Sequence, residues 1–247
     1  FTQQSGGVKM KHKLVMVVLC MATLLSVAAV ADAGIIWMNR AGASGGDKGG
    51  GEFTVHVVDG TGLPVSAGDT FFTFCLEYYE SIKLGVTNQY GAVVSDVSNT
   101  LSYAHLGSGP LQVYAAPGDP LDFKSAYLYS MAMAGTLLRS DGFAYKTVAG
   151  EEDADANSLQ AAIWHIEEEL LTTDAQALAW ITEAGNANWT TLRNVRVLNL
   201  YGLDSNGDID LTDLKQSQLI LVPLPSAAVV GMVMLLGLAV LKLRRRR

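Results

Sequence analysis

The strongest helical pattern in the chain runs from residue 157 to residue 171 and reads NSLQAAIWHIEEELL. Apolar side chains recur there at three- and four-residue spacing, which predicts one buried helix face. That face comprises Leu159, Ile163, Ile166 and Leu170. Asn157 or Ser158 is suited to cap the helix start, so Gln160 is expected in the first turn with Trp164 one turn below it.

Alternating and aromatic runs elsewhere predict that this helix packs on antiparallel β-structure. Residues 53–58 alternate before an Asp59-Gly60 turn, and residues 71–76 form an aromatic-rich strand centred on Cys75. The other predicted elements are helices at residues 121–138 and 173–185 and strands at residues 195–200 and 218–222. We therefore expect an α+β fold, a mainly antiparallel, sandwich-like or barrel-like domain with an inserted helical part, plus one C-terminal transmembrane helix.

The amino-terminal residues predict export. Three lysines in residues 9–13 precede an apolar segment at residues 14–30, and small side chains just before Gly34 suit signal peptidase. Residues 1–33 are therefore interpreted as a few upstream residues, a start at Met10 and a secretory signal peptide.

The carboxyl-terminal residues predict a sorting signal. Residues 222–226 read VPLPS, an apolar run follows at residues 227–241, and four arginines occupy residues 244–247. The apolar run would form a helix of roughly 22 Å, shorter than the ~30 Å hydrocarbon core of a bilayer. The arginines favour a cytoplasmic C-terminus. The expected organisation is one extracellular domain at residues 34–221 followed by a sorting tail at residues 222–247.

The order of a Pro-containing motif, an apolar helix and a basic stop resembles the PEP-CTERM sorting signal of exosortase substrates. Leu224 stands where the type motif has glutamate, which is similar to the variant written VPLPA. The resemblance implies an exosortase-like processing enzyme as partner. It also implies a single-pass stay in the inner membrane with the C-terminus in the cytoplasm, then release to the cell surface or extracellular matrix.

The charge balance argues against nucleic acid as a partner. Residues 34–241 carry 9 Lys and Arg against 23 Asp and Glu, a net charge of −14, while the whole chain carries −7 because both termini are basic. So acidic a domain repels a phosphate backbone. The acidic runs at residues 151–153 and 167–169 are interpreted as a solvated loop and a solvated helix face.

Cys75 is the one cysteine expected after signal cleavage, because Cys20 lies in the apolar segment of the signal. Outside the cytoplasm, an odd cysteine indicates a reactive thiol or an intermolecular disulfide. A small buried hydrophobe in a strand is the ordinary alternative.

Two short motifs give Cys75 a candidate partner. One reads Phe74-Cys75-Leu76-Glu77, and the other reads Leu159-Gln160-Ala161-Ala162-Ile163-Trp164. The pair resembles the thioester domains of bacterial surface adhesins, in which a Cys after an aromatic residue attacks a Gln in an aliphatic-Gln-x-x-aliphatic-Trp motif. The resemblance covers about residues 53–222. It implies a Cys75–Gln160 thioester that attaches the protein covalently to an amine or hydroxyl of a surface protein or polysaccharide, once per molecule and without enzymatic turnover.

A thioester needs a dry site and a stabilised acyl oxygen. Phe72, Phe74 and Trp164 are expected to exclude water. N–H groups in the first turn of the Gln160 helix are expected to polarise the oxygen. The alternative is a structural matrix protein of the same fold in which the thioester does not form.

A cysteine hydrolase is the competing enzyme class, with His105 or His165 as base to Cys75. His165 lies five residues after Gln160, about 140° round the helix. His105 lies in a Tyr-Ala-His-Leu stretch without a recognisable motif. Because neither histidine is paired with the cysteine by the sequence, covalent attachment is favoured over hydrolysis.

One stretch starts as a calcium loop does. Residues 204–213 read DSNGDIDLTD and place oxygen-bearing side chains at alternate positions. The candidate ligands are Asp204, Asn206, Asp208 and Asp210. Ile209 stands where such a loop has its turn glycine, and Asn-Gly between two β-runs is also a strong hairpin signal. The sequence therefore predicts a hairpin turn, with calcium as the one candidate cofactor.

Overall fold

The computed structural model describes residues 33–41, 51–78, 80–99, 103–104, 112–113 and 118–223. The strands in those residues are β1 (Gly34–Arg40), β2 (Phe53–Asp59), β3 (Thr70–Thr73), β4 (Gln89–Ser95), β5 (Val97–Ser98), β6 (Tyr103–Ala104), β7 (Gln112–Val113), β8 (Asp119–Pro120), β9 (Val195–Leu203) and β10 (Ile209–Leu221). The helices are α1 (Phe123–Met133), α2 (Glu152–Ile166) and α3 (Ala175–Asn186).

Six strands form one antiparallel sheet in the order β10-β9-β4-β1-β2-β3. Two further two-stranded sheets are formed between β4 and β9 in the sequence, one by β5 and β8 and the other by β6 and β7. The prediction of an α+β fold with mainly antiparallel strands is confirmed. The strands β1 and β4 were not predicted, although β1 alternates buried and half-buried side chains as a one-sided strand should.

The residues that follow β3 lie against the far edge strand, β10. Residues 74–76 pair with residues 217–219 through main-chain hydrogen bonds of 3.0 and 3.1 Å. Cys75 forms an antiparallel bridge with Gln218 at the centre of this pairing. The predicted strand at 71–76 therefore ends as β3 at Thr73, and Cys75 belongs to the short segment that joins the two edges of the sheet.

Two hydrophobic clusters cover the two faces of β10. Leu219 packs in a cluster with the helices, and Ile220 packs in a cluster with residues of β1, β2 and β9. Neighbouring residues of a strand point to opposite faces. The same alternation sends Phe74 to the helix-side cluster and Cys75 to the other, where Trp164 of α2 also lies.

Helix α2 begins at Glu152, five residues before the earlier of the two predicted caps. The prediction of its start is wrong because Glu152, Asp153 and Asp155 occupy the first turn, where negative charge interacts favourably with the helix N-terminus. The helix ends at Ile166, since Glu168 adopts a φ of 63° that a right-handed helix does not accommodate. Gln160 consequently lies in the middle of α2 rather than in its first turn.

The predicted signal peptide and transmembrane segment lie outside the described residues. Within the described ranges, none of the three helices has the length and apolar character that a bilayer crossing requires. The other helix predictions are confirmed in position, although α1 is shorter at both ends than the predicted 121–138.

Candidate functional site

Cys75 and Gln160 lie in direct contact, 85 residues apart in the chain. The Cys75 N–H donates to Gln160 Oε1 at 3.0 Å, and Gln160 Nε2 donates to the Cys75 carbonyl at 2.8 Å. The two bonds hold the carboxamide flat against the main chain of the cysteine. Gln160 therefore contacts the main chain of Cys75, the residue that carries the candidate nucleophile.

Two main-chain donors converge on the Gln160 oxygen. Besides Cys75, the N–H of Gly51 donates to Oε1 at 3.2 Å. Paired N–H groups of this kind stabilise negative charge that develops on a carbonyl oxygen. The expectation that the first turn of the Gln160 helix supplies these donors is wrong, because Gln160 lies in the middle of α2 and its side chain reaches other segments.

The thiol of Cys75 is held by two further glutamines, both on β10. Cys75 Sγ donates to Gln216 Oε1 at 2.9 Å, and Gln218 Nε2 lies 3.5 Å from the sulfur as a donor. Burial raises the pKa of the Cys75 thiol above its ordinary value, against the hydrogen bond from Gln218, which lowers it. The thiol is therefore protonated at neutral pH, and only its placement can compensate for its weak nucleophilicity.

Water is kept from the pair by its immediate surroundings. Cys75 is 0% exposed, Gln160 is 1% exposed, and Phe74 and Trp164 are buried with them. Phe72 is 47% exposed, so the prediction that it shields the site is wrong. Tyr78, itself 38% exposed, packs edge-to-face on the side chain of the buried Trp164, with ring centroids 4.9 Å apart.

A buried carboxylate stands next to the cysteine segment. Glu77 is 2% exposed, accepts a hydrogen bond from the Ser217 N–H at 2.6 Å and another from the Ser98 hydroxyl. Its main-chain oxygen accepts from Gln216 Nε2 at 2.6 Å. Glu77 thereby ties the cysteine segment to β5 and β10, and its charge also raises the pKa of Cys75.

Sequence reasoning did not predict Gly51, Glu77, Gln216 or Gln218 as part of this site. Gln216 and Gln218 alternate on β10, which is the spacing that places two side chains on one face of a strand. That spacing was the one feature of the sequence from which the shared face of Gln216 and Gln218 could have been predicted. It does not say that the face meets a cysteine more than 140 residues away.

Comparison with known proteins adds no relative. No protein-family model, curated protein or solved structure matches this chain.

The histidines of the hydrolase alternative are not paired with the thiol in the described residues. His165 is half-buried on α2, and its Nδ1 accepts from the Thr172 N–H at 3.4 Å. His105 lies outside the described residues. The hydrogen-bond partners that the structure records for the thiol are amides, which do not act as a general base.

The candidate calcium stretch forms the turn between β9 and β10. The Asp204 carboxylate accepts from the N–H groups of Asn206 at 2.8 Å and Asp208 at 2.9 Å, so it is used within the turn. Asp210 accepts from both the N–H and the hydroxyl of Thr212. In the described part of the chain, no three His, Cys, Asp or Glu side chains are grouped to hold a metal ion. The hairpin is observed, and calcium binding stays a prediction.

The acidic run at residues 167–169 is not a uniformly solvated face. Glu169 is 2% exposed and accepts from the Tyr78 N–H at 3.1 Å, while Glu168 is exposed. Burial raises the pKa of Glu167 to about 8, and the charges of Asp122 and Asp119 act in the same direction. The interpretation of this run as solvent-facing is therefore wrong at Glu169, while Glu167 is half-buried and Glu168 is exposed.

Glu167 should make stability fall with rising pH. Its folded pKa of about 8 exceeds the ordinary value of 4.5, so between these values the folded state holds a proton that the unfolded state has lost. Glu167→Gln is expected to raise the free energy of unfolding by about 1–2 kcal/mol at pH 8 and little at pH 5, the effect being moderated by partial exposure. Urea denaturation at both pH values measures this, with Glu168→Gln as control. An equal gain at both pH values would contradict it.

Proposed function

We propose that this protein is an exported surface or matrix protein that forms an internal thioester between Cys75 and Gln160. The thioester would attach the protein covalently to an amine or hydroxyl on a partner protein or polysaccharide. Each molecule would react once, so the protein is not an enzyme in the sense of turnover.

The observation that carries this proposal is the cradle around the Gln160 carboxamide. Its oxygen accepts from the N–H groups of Gly51 and Cys75, and its nitrogen donates to the Cys75 carbonyl. The two donors support attack at the carbon, because they stabilise the oxygen as it gains charge. The nitrogen, which is the leaving group, is oriented by a separate bond.

The reaction balances with the groups present. Cys75 Sγ forms a bond to the carboxamide carbon of Gln160, the carbon–nitrogen bond breaks, and the thiol proton leaves with the nitrogen as ammonia. In capture, an incoming amine bonds to the same carbon, the carbon–sulfur bond breaks, and a proton from the amine restores the thiol. Burial of both residues supports a long-lived thioester, because water is the competing nucleophile.

The position of Cys75 in the sheet suits this chemistry. The bridge between Cys75 and Gln218 joins the segment after β3 to β10, the opposite edge strand of the six-stranded sheet. We infer a barrel-like closure of the sheet at this point. A closed arrangement of strands holds the sulfur rigidly, and reaction between a neutral thiol and an amide depends on such placement.

Export and sorting complete the proposal. A signal-like amino terminus and a tail similar to PEP-CTERM signals support passage through the inner membrane and processing by an exosortase-like enzyme. An irreversible surface attachment requires that the reactive group be outside the cell, and these segments are consistent with that location.

Intact mass spectrometry of the purified protein tests the thioester. We expect a deficit of one ammonia relative to the calculated mass, and methylamine treatment should convert it to an adduct of one methylamine in place of ammonia. Cys75→Ser is the matched control, because a hydroxyl preserves the size and hydrogen bonding of the side chain but forms an acyl bond far more slowly. It should show the full calculated mass.

The alternative of an unreactive matrix protein predicts a different intact mass. The Gln160 carboxamide also satisfies three main-chain groups, a purely structural task that needs no reaction. A full calculated mass for the wild-type protein, with Cys75 alkylated once the protein is unfolded, would contradict the thioester and leave this structural role.

A further inference from the structure

A small cavity is lined in part by Gln216, the residue that accepts the hydrogen bond of the Cys75 thiol. Its volume is about 180 Å³, and it is lined by Arg40, Phe53, Glu80, Ser81, Ile82 and Leu84 together with Gln216. At ~30 Å³ per water molecule, this space holds about six waters. It is therefore large enough for one short side chain.

The cavity extends from exposed residues to Gln216, a direct neighbour of the Cys75 thiol. Ser81 and Arg40 are exposed, whereas Phe53 and Gln216 are each 4% exposed and form its inner end. Gln216 Oε1 in turn accepts the hydrogen bond of the Cys75 thiol at 2.9 Å. One side chain thus separates the inner end of the cavity from the sulfur.

Gln216 is held by few bonds that would resist its movement. Its Nε2 donates to the main-chain oxygen of Glu77 at 2.6 Å, and its Oε1 accepts from the thiol. When the thiol proton leaves as part of ammonia, the second of these bonds loses its donor. The side chain is then retained by the first bond alone.

We propose that this cavity is the route by which an external nucleophile reaches the thioester, with Gln216 as the gate at its inner end. The inference rests on the proposed thioester. Phe53, Ile82 and Leu84 provide apolar contacts for an unbranched alkyl arm that carries an amine.

The charged groups of the cavity are compatible with an amine. The carboxylate of Glu80 lines it and can accept the proton that an ammonium group must lose before attack. Arg40 also lines the cavity, and its positive charge repels an approaching ammonium group. Burial raises the pKa of Glu80, whereas the nearby charge of Lys215 lowers it. We therefore assign the selection of the nucleophile to the apolar contacts and treat Glu80 as the proton acceptor.

A cavity-filling substitution separates access from formation of the thioester. Formation is intramolecular and needs no external reagent, whereas capture does. Ser81→Trp places a large side chain at the exposed rim. We expect the protein to retain the ammonia deficit and to incorporate methylamine about tenfold more slowly than the wild type, or slower.

Val86→Trp is the matched control. Val86 is exposed on the same connection between β3 and β4. Like Ser81, it lines a larger groove beside the β9–β10 turn, but unlike Ser81 it does not line the small cavity. Val86→Trp should leave the rate of methylamine incorporation within about twofold of the wild type.

A second variant tests the route in the opposite direction. Ile82→Ala widens the cavity and should increase the rate with benzylamine relative to methylamine. The time course of adduct formation by intact mass provides all of these rates.

The outcomes distinguish the two proposals. A wild-type ammonia deficit combined with an unchanged methylamine rate in Ser81→Trp would overturn the route and leave the thioester standing. Absence of the deficit in the wild type would overturn both. A retained deficit with slow capture only in Ser81→Trp would support the route.

Discussion

Replacing Gln160 by alanine is expected to abolish methylamine capture and to lower the free energy of unfolding by about 4 kcal/mol relative to Cys75→Ser, in which Gln160 stays an amide. The carboxamide is the hydrogen-bond partner of the Cys75 N–H, the Cys75 carbonyl and the Gly51 N–H, all buried. Alanine leaves these groups without that partner, and each unsatisfied buried group costs roughly 1–3 kcal/mol. Urea denaturation gives the stability, and intact mass after methylamine treatment gives the capture.

Two controls separate chemistry from stability. Cys75→Ser should lose capture and keep both main-chain bonds to Gln160, because no thioester forms and the Gln160 amide is retained. Gln176→Ala removes a glutamine from the start of α3, where Oε1 accepts from the N–H and hydroxyl of Ser140 at an exposed position. It should cost at most about 1 kcal/mol. A free energy of unfolding of Gln160→Ala equal to that of Cys75→Ser would contradict the assigned hydrogen bonds.

Replacing Glu77 by alanine is expected to lower the free energy of unfolding by about 3 kcal/mol. The buried carboxylate accepts from the Ser217 N–H and the Ser98 hydroxyl, and it connects the cysteine segment to β10 and β5. Its removal leaves buried donors without this acceptor and also creates a cavity. The measurement is again urea denaturation at neutral pH.

Glu77→Gln is the conservative companion. The amide oxygen can still accept from the Ser217 N–H, so most of the stability should return, with a residual loss of about 1 kcal/mol. Because the charge of Glu77 raises the pKa of Cys75, its neutralisation should also lower that pKa. If alanine and glutamine were equally harmless, the carboxylate would not hold the cysteine segment in place.

Local sequence patterns predicted the helices and several strands, but not the residues at which they begin and end. The periodicity of Leu159 and Ile163 predicted a buried face of α2, and both are 0% exposed. The same pattern misplaced the helix start, because the residues before Asn157 are polar and carry no apolar period even though their acidic side chains suit a helix N-terminus. An apolar period does not register a first turn whose buried member, Asp155, is an acidic residue.

Residue types in the sequence identified Cys75 and Gln160 as the candidate pair, but they did not predict the geometry of their contact. A cysteine after an aromatic residue and a glutamine before an aliphatic-Trp pair are visible in the sequence as short motifs. Their contact across 85 residues depends on how α2 packs against the segment after β3. The order of strands in the sheet decides this, and no local pattern encodes strand order.

By itself, the sequence determined the three helices and several of the strands, the apolar face of α2, and the two residues that have the chemical character for an acyl transfer. Only the tertiary structure decided that Gly51 and Cys75 converge on one oxygen and that Gln216 holds the thiol. The physical reason is that periodicity depends on neighbours within a few residues, whereas these hydrogen bonds join groups 85 to 141 residues apart. Such contacts are fixed by strand pairing and core packing together.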